Sequence, residues 1–257
     1  MEKRKVIAFA NQKGGVGKTT SAVNTASYLA LSGKKVLLVD TDAQGNATSG
    51  LGINKRDCAY SVYDILIGRV RASETVQKTD QKGLDVIPSS INVVGAEIEL
   101  VDEPDREFQL KKALSEIYDS YDIIIIDCPP SLGLVTMNCL TAADGVVIPV
   151  LCEFYSLEGL SQLTQSIKQI QKRYNPNLTL IGVLVNMYDG RLNLTLQVMD
   201  EMKKYFSDKL FRTPIPRAVR LSEAPSHGKS IFSYDRYSKG ALAYESFVRE
   251  LLKRCNI

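Results

Sequence analysis

Six short apolar runs, rich in valine, isoleucine and leucine and almost free of polar alternation, punctuate the chain at residues 6–10, 36–39, 84–87, 123–126, 145–150 and 178–185. Runs without alternation suit strands buried on both faces of a parallel sheet. Between them, segments 21–31, 107–118, 157–174 and 194–206 repeat apolar residues every three or four positions, the spacing of a helix with one buried face. Strand and helix therefore alternate. This predicts an α/β fold, a doubly wound and mostly parallel sheet with helices on both faces. With 257 residues, 44% of them hydrophobic, the chain suffices for one large core, and a single domain over 1–257 is expected. Segments 52–83 and 88–106 have no clear period. Gly240 is expected just before a last helix, 241–254, in which Tyr244, Phe247, Val248, Leu251 and Leu252 form one stripe.

Composition removes several classes. None of the five cysteines (Cys58, Cys128, Cys139, Cys152, Cys255) forms a C-x-x-C pair, and His227 is the only histidine, so neither a zinc site nor a disulfide framework is expected. The opening Met1-Glu2-Lys3-Arg4-Lys5 leads straight into the first apolar run, which is too short for a signal peptide. No stretch reaches the roughly 18 apolar residues of a membrane span. A reducing, cytoplasmic setting is expected. The charge is uneven: residues 186–257 hold 13 basic and 8 acidic side chains, a net +5, against −2 for residues 1–185. Such an excess is either a solvated face or a surface for a polyanion.

Chemistry concentrates where the apolar runs end, which is where an open α/β sheet places its ligands. The first run leads into Lys13-Gly14-Gly15-Val16-Gly17-Lys18-Thr19-Thr20. Glycines at 14, 15 and 17 let backbone N–H groups converge on phosphate oxygens at the positive end of the next helix. In such a loop Lys18 reaches the outer phosphates and the Thr19 hydroxyl holds magnesium. The usual pattern G-x-x-x-x-G-K-[ST] fails at its first glycine, where Gln12 stands, and a second lysine, Lys13, follows. The second run ends in Val39-Asp40-Thr41-Asp42 and the fourth in Ile126-Asp127-Cys128-Pro129-Pro130-Ser131. A carboxylate at such a strand end binds magnesium directly or through water, or else caps a turn; Asp127 is the candidate ligand. Asn186, closing the sixth run, offers the donor and acceptor that complement an adenine edge, or else sits in a turn.

In this order the motifs resemble the deviant-phosphate-loop ATPases, and among them the ParA/Soj partition ATPases. The loop with Lys13 carries the resemblance, together with Leu37 to Asn46, Asp127 to Ser131, Gly182 to Tyr188, Ile215-Pro216-Arg217 and Glu223-Ala224-Pro225-Ser226. It spans about residues 5–254. The resemblance implies a magnesium-dependent enzyme hydrolysing ATP in a sandwich homodimer. Lys13 would reach across to the partner's phosphates and neutralise transition-state charge as an arginine finger does. It further implies that Asp42 orients or activates the attacking water, and that residues 44–48 and 129–131 form two switch segments sensing the γ-phosphate. Pro216 and Arg217 would join Asn186 at the base.

What the switch controls is also implied by the family. Basic residues late in ParA-like chains form a non-specific duplex-DNA surface when two subunits combine, and Arg191, Arg220, Lys229 and Lys239 are the candidates here. A ParB/Spo0J-like centromere-binding protein would stimulate hydrolysis and release the dimer from the nucleoid. The cargo, chromosome or plasmid, stays open, although the short form favours a chromosome. The helix-turn-helix extension of larger plasmid relatives is expected to be missing, and operator-specific repression with it. Three rivals share the loop. A MinD-like division-site regulator would bind membrane through an amphipathic helix beyond the fold. An iron–sulfur carrier would need placed cluster cysteines, and Cys128, with no evident partner in the sequence, reads instead as a small buried residue. A small-molecule ligase of the dethiobiotin synthetase kind would use ATP to activate a carboxylate.

Overall fold

The computed structural model describes residues 5–153 and 156–257; the N-terminal reading on residues 1–4 lies outside them. Seven strands form one sheet: β1 (Lys5–Phe9), β2 (Val36–Asp40), β3 (Gln77–Lys78), β4 (Leu84–Ile87), β5 (Ile123–Asp127), β6 (Gly145–Leu151) and β7 (Thr179–Asn186). Their spatial order is β3-β4-β2-β5-β1-β6-β7, and only the β3–β4 pair is antiparallel. The α/β expectation is met. Parallel register sets Phe9 opposite Asp127 and Asp40 opposite Asp127, so three strands end at one level.

Twelve α-helices accompany the strands among the described residues: α1 (Lys18–Leu31), α2 (Asn46–Gly50), α3 (Val62–Leu66), α4 (Ala72–Thr75), α5 (Val93–Glu99), α6 (Gln109–Ser115), α7 (Leu134–Ala142), α8 (Ser156–Arg173), α9 (Asn193–Phe206), α10 (Val219–Glu223), α11 (Ile231–Tyr234) and α12 (Lys239–Cys255). The pleat divides the core between them. Val6, Ala8, Leu37, Val39, Ile124 and Ile126 pack under α3 and α5–α9. Ile7, Phe9, Leu38, Ile123 and Ile125 pack under α1 and α10–α12.

Several boundaries differ from expectation for local reasons. The helix expected over 107–118 is α-helical only in α6, with single 3-10 turns at Arg106–Phe108 and Tyr118–Ser120 on its flanks. Segments without a readable period contain β3 and helices of four to seven residues, too short for a 3.6-residue repeat to declare itself. Gly240 lies inside the first turn of α12, because the Ser238 side chain caps the helix on Ala241 N–H at 3.2 Å. A Cβ at Gly240 would stand 2.7 Å from Leu221 Cγ.

The stripe on α12 is core. Tyr244, Phe247, Val248 and Leu251 are at most 1% exposed. Phe247 meets Phe211 edge-on, with ring centroids 4.7 Å apart. Arg254 locks the same helix to the sheet edge through the carbonyls of Ile181, Lys209 and Leu210, at 2.6–3.1 Å. No helix among the described residues is long and apolar enough to cross a membrane. Truncating Phe247 to alanine should therefore lower unfolding free energy by about 3–5 kcal/mol in urea titration. A loss below about 1 kcal/mol would mark α12 as peripheral.

Candidate functional site

Between β1 and α1 the chain turns through residues 10–17. Gly15 and Gly17 adopt φ of +74° and +86°, a region that disfavours residues with a Cβ. At Gly17 a Cβ would also stand 2.6 Å from Asn186 Nδ2. Gly14 and Gly15 border open space. Gly17 is the N-cap of α1 and no side chain caps that helix, which leaves its first N–H groups and positive end for an anion.

Three side chains meet beneath the loop. Lys18 is buried, and its ammonium donates to the Lys13 carbonyl at 3.2 Å. Burial lowers its pKa, while Asp127, Cys128 and Asp42 oppose that effect. Asp127 is fully buried and neither of its carboxylate oxygens has a hydrogen-bond partner. Burial, followed by the neighbouring Asp40 charge, drives its pKa well up; the Thr19 hydroxyl and Lys18 ease the charge without closing a hydrogen bond on it. An uncompensated buried carboxylate costs several kcal/mol. One carboxylate and one hydroxyl suit Mg²⁺, which keeps most of its water shell.

Asp40 has a part that motif reading did not give it. Fully buried, it accepts from the Thr48 N–H at 2.8 Å and the Thr48 hydroxyl at 2.7 Å, which ties the end of β2 to α2. Burial raises its pKa to about 6 against those hydrogen bonds. The Thr48 hydroxyl in turn accepts from Ser89 N–H at 3.0 Å, and Lys55 holds the Gln44 carbonyl at 2.6 Å. Residues 44–48 are thus pinned at both ends. Asp42, half-buried, accepts from Gln44 N–H at 3.0 Å and lies near enough to Lys18 to act on its charge.

On the other side of the loop, Asn186 donates through Nδ2 to the Val16 carbonyl at 2.8 Å and to Ser21 Oγ at 3.1 Å. A carbonyl only accepts, so these bonds orient the amide and leave the buried Oδ1 without a partner. The expected donor-and-acceptor edge narrows to an acceptor. Beside it opens a cavity of about 460 Å³ lined by Gly17, Asn186, Pro216, Arg217 and Tyr244 among others. Tyr188 N–H bonded to the Ile215 carbonyl at 2.9 Å holds Pro216 and Arg217 there.

The remaining candidates face outward. Lys13 is exposed and its ammonium pairs with Glu153. Arg191 grips Asp189 through two nitrogens at 2.6 and 2.8 Å, which pulls the Asp189 pKa to about 2. Arg220 pairs with Glu223 at 3.0 Å and Asp235 at 3.6 Å. Lys229 and Lys239 are exposed. Cys128 is buried as expected, and it has a neighbour that the sequence did not reveal: the Cys139 thiol, which together with burial pushes the Cys128 pKa well up.

An AAA domain family model matches residues 4–180. The sporulation initiation inhibitor protein Soj of Bacillus subtilis is 57% identical over 96% of this chain and 98% of its own length. The chromosome-partitioning ATPase Soj of Treponema pallidum is 51% identical over 97% of this chain and 98% of its own. A crystal structure of cobyrinic acid a,c-diamide synthase from Mycobacterium smegmatis, with bound ATP analogue and magnesium, is 37% identical and superposes with a TM-score of 0.86, covering 99% of this chain and 96% of that one. With loop, strand ends and sheet order arranged as above, the chain belongs to the Soj/ParA family of chromosome-partitioning ATPases.

Proposed function

We propose that the protein is a nucleotide-timed DNA clamp for chromosome partition, in which ATP joins two subunits and hydrolysis parts them. The buried, unpartnered Asp127 carboxylate beside Lys18 and Thr19 carries the nucleotide half of this reading. ATP phosphates lie on residues 14–20, with Mg²⁺ held by Thr19 and Asp127 and the base in the cavity beside Asn186, Pro216 and Arg217. The bound cation supplies charge neutralisation at the outer phosphates. Lys18 adds fixed positive charge there, and Asp42 orients the attacking water.

Lys13 supports the dimeric half. Its side chain is exposed and engaged with Glu153, so it serves the phosphates of a second subunit at small conformational cost: an exposed ion pair of this kind is worth about 0–1 kcal/mol. Arg191, Arg220, Lys229 and Lys239 give the dimer a basic face whose charge doubles on pairing. In Arg191 and Arg220, DNA phosphate competes with carboxylates already in place. Binding is then non-specific and falls steeply with salt. A ParB/Spo0J-like protein stimulates turnover and ends the cycle on the nucleoid.

The Mycobacterium smegmatis relative raises a second reading, small-molecule synthesis driven by ATP. Its identity of 37% stands below the 57% and 51% of the Soj relatives, and ATP turnover stimulated by DNA separates the two readings.

Wild-type protein should retard arbitrary duplex DNA in gels with ATP and not with ADP. Asp42→Ala should hold a DNA-bound ATP dimer without turnover, Arg220→Ala should dimerise without DNA, and Lys13→Ala should lose stimulated turnover. Equal retardation with ATP, with ADP and without nucleotide would sink the reading. Asp127→Asn replaces a buried carboxyl whose ionised form the site disfavours with a neutral amide of the same shape, so the apo variant should melt at or near wild type while magnesium-ATP raises its melting temperature far less. An undiminished magnesium-ATP shift would remove Asp127 from the metal site.

A further inference from the structure

Segment 91–101, made of α5 (Val93–Glu99) and the turn residues on either side of it, carries two apolar faces where a surface helix normally carries one. Val93, Ala96 and Leu100 are buried against the core. Ile91, Val94, Ile98 and Val101, spaced by three, four and three residues, form a second stripe that is 51–73% exposed. An apolar row of this kind on a surface marks a contact site. The chain around it is strongly acidic: residues 97–107 contain six acidic side chains and one basic, Arg106. Among the described residues Glu97, Asp102 and Glu103 form no ion pair, and all three are exposed.

We infer that this face docks a basic amphipathic helix of a partner protein, with apolar side chains on the stripe and lysines or arginines on the acidic rim. Charge complementarity selects that occupant. DNA is repelled, and a symmetric contact between two copies would set acidic rim against acidic rim. Recognition of an amphipathic helix by anchors at three- and four-residue spacing is a common peptide-binding mode.

The placement gives the contact a consequence. A Cβ on Gly133, two residues after the segment 129–131, would collide with the Glu97 carboxylate, so α5 lies against the chain just beyond that segment. The loop leading into α5 holds the other one: Ser89 N–H bonds to the Thr48 hydroxyl, which bonds to Asp40. Of the two segments assigned to γ-phosphate sensing, one is hydrogen-bonded to the lead-in of α5 and the other ends two residues before a residue that α5 touches. In this respect the inference deepens the function proposed above and rests on it; the docking itself is tested without ATP turnover.

The probe is a fluorescent peptide of leucine and lysine, about 18 residues long, with leucines at helical spacing. A scrambled peptide of equal composition is the control. Anisotropy should give wild-type protein at least about tenfold tighter binding of the helical peptide than Ile98→Gln/Val101→Gln. Glu97→Gln/Glu103→Gln should weaken binding several-fold and flatten its salt dependence. ATP-dependent DNA retardation and ATP-dimer mass in sedimentation should be unchanged in both variants. Equal affinity of wild type and the Ile98→Gln/Val101→Gln variant, or equal binding of the scrambled peptide, would overturn the docking face. Loss of the ATP dimer in that variant would also overturn it, by making the stripe a subunit interface. If DNA retardation fails in wild type while peptide binding follows expectation, the function proposed above fails and the docking face stands.

Discussion

Two buried carboxylates at the ends of adjacent strands set the terms for the rest of the molecule. Asp40 and Asp127 stand opposite one another in the β2–β5 register, both removed from water. Like charges so placed are costly, and each is accommodated differently. Asp40 spends its charge on Thr48, which fixes α2 against the sheet. Asp127 keeps both oxygens unpartnered beside Lys18 and Thr19. A fold that tolerates this expense without ligand has a reason to bind a cation with an anion, and in the proposed function magnesium-ATP relieves it.

The glycine loop and the strand register are what bring these groups together. Gly17 lets Asn186 reach the Val16 carbonyl, so the glycine loop and the cavity beside it are held by one side chain. Thr41 hydrogen-bonds the Asp127 carbonyl through both its N–H and its hydroxyl, at 3.1 and 2.7 Å, which stitches the ends of β2 and β5 at the level of the site. Through Asp40, Thr48 and Ser89, the site continues outward to α5.

Most of the architecture was legible because parallel strands buried on both faces read as unbroken apolar runs. Phe9, Ile125 and Val147 have no solvent side to force alternation. The glycine loop was legible because its chemistry is local in sequence. What stayed hidden was either short or distant. Two-residue β3 and five-residue α3 leave no periodic trace. Lys13 and Glu153 meet across 140 residues, and Asn186 and Val16 across 170. Asp40 was concealed by its neighbour Asp42, since a single motif held two carboxylates and only burial separates the fully buried, structural one from the half-buried one. Cys139 could be assigned to Cys128 only once α7 had packed beside β5.

A lysine supplied by the partner subunit is the central claim, and mixing two inactive variants tests it most directly. Lys13→Ala subunits keep Asp42, and Asp42→Ala subunits keep Lys13. In a mixed dimer one site regains both groups only if Lys13 acts across the interface. Equimolar variants, combined before ATP is added, form hybrids in about half of the dimers, each with one complete site, so stimulated turnover should return to about a quarter of wild type. If the mixture stays as inactive as its components while hybrids form, Lys13 serves its own subunit.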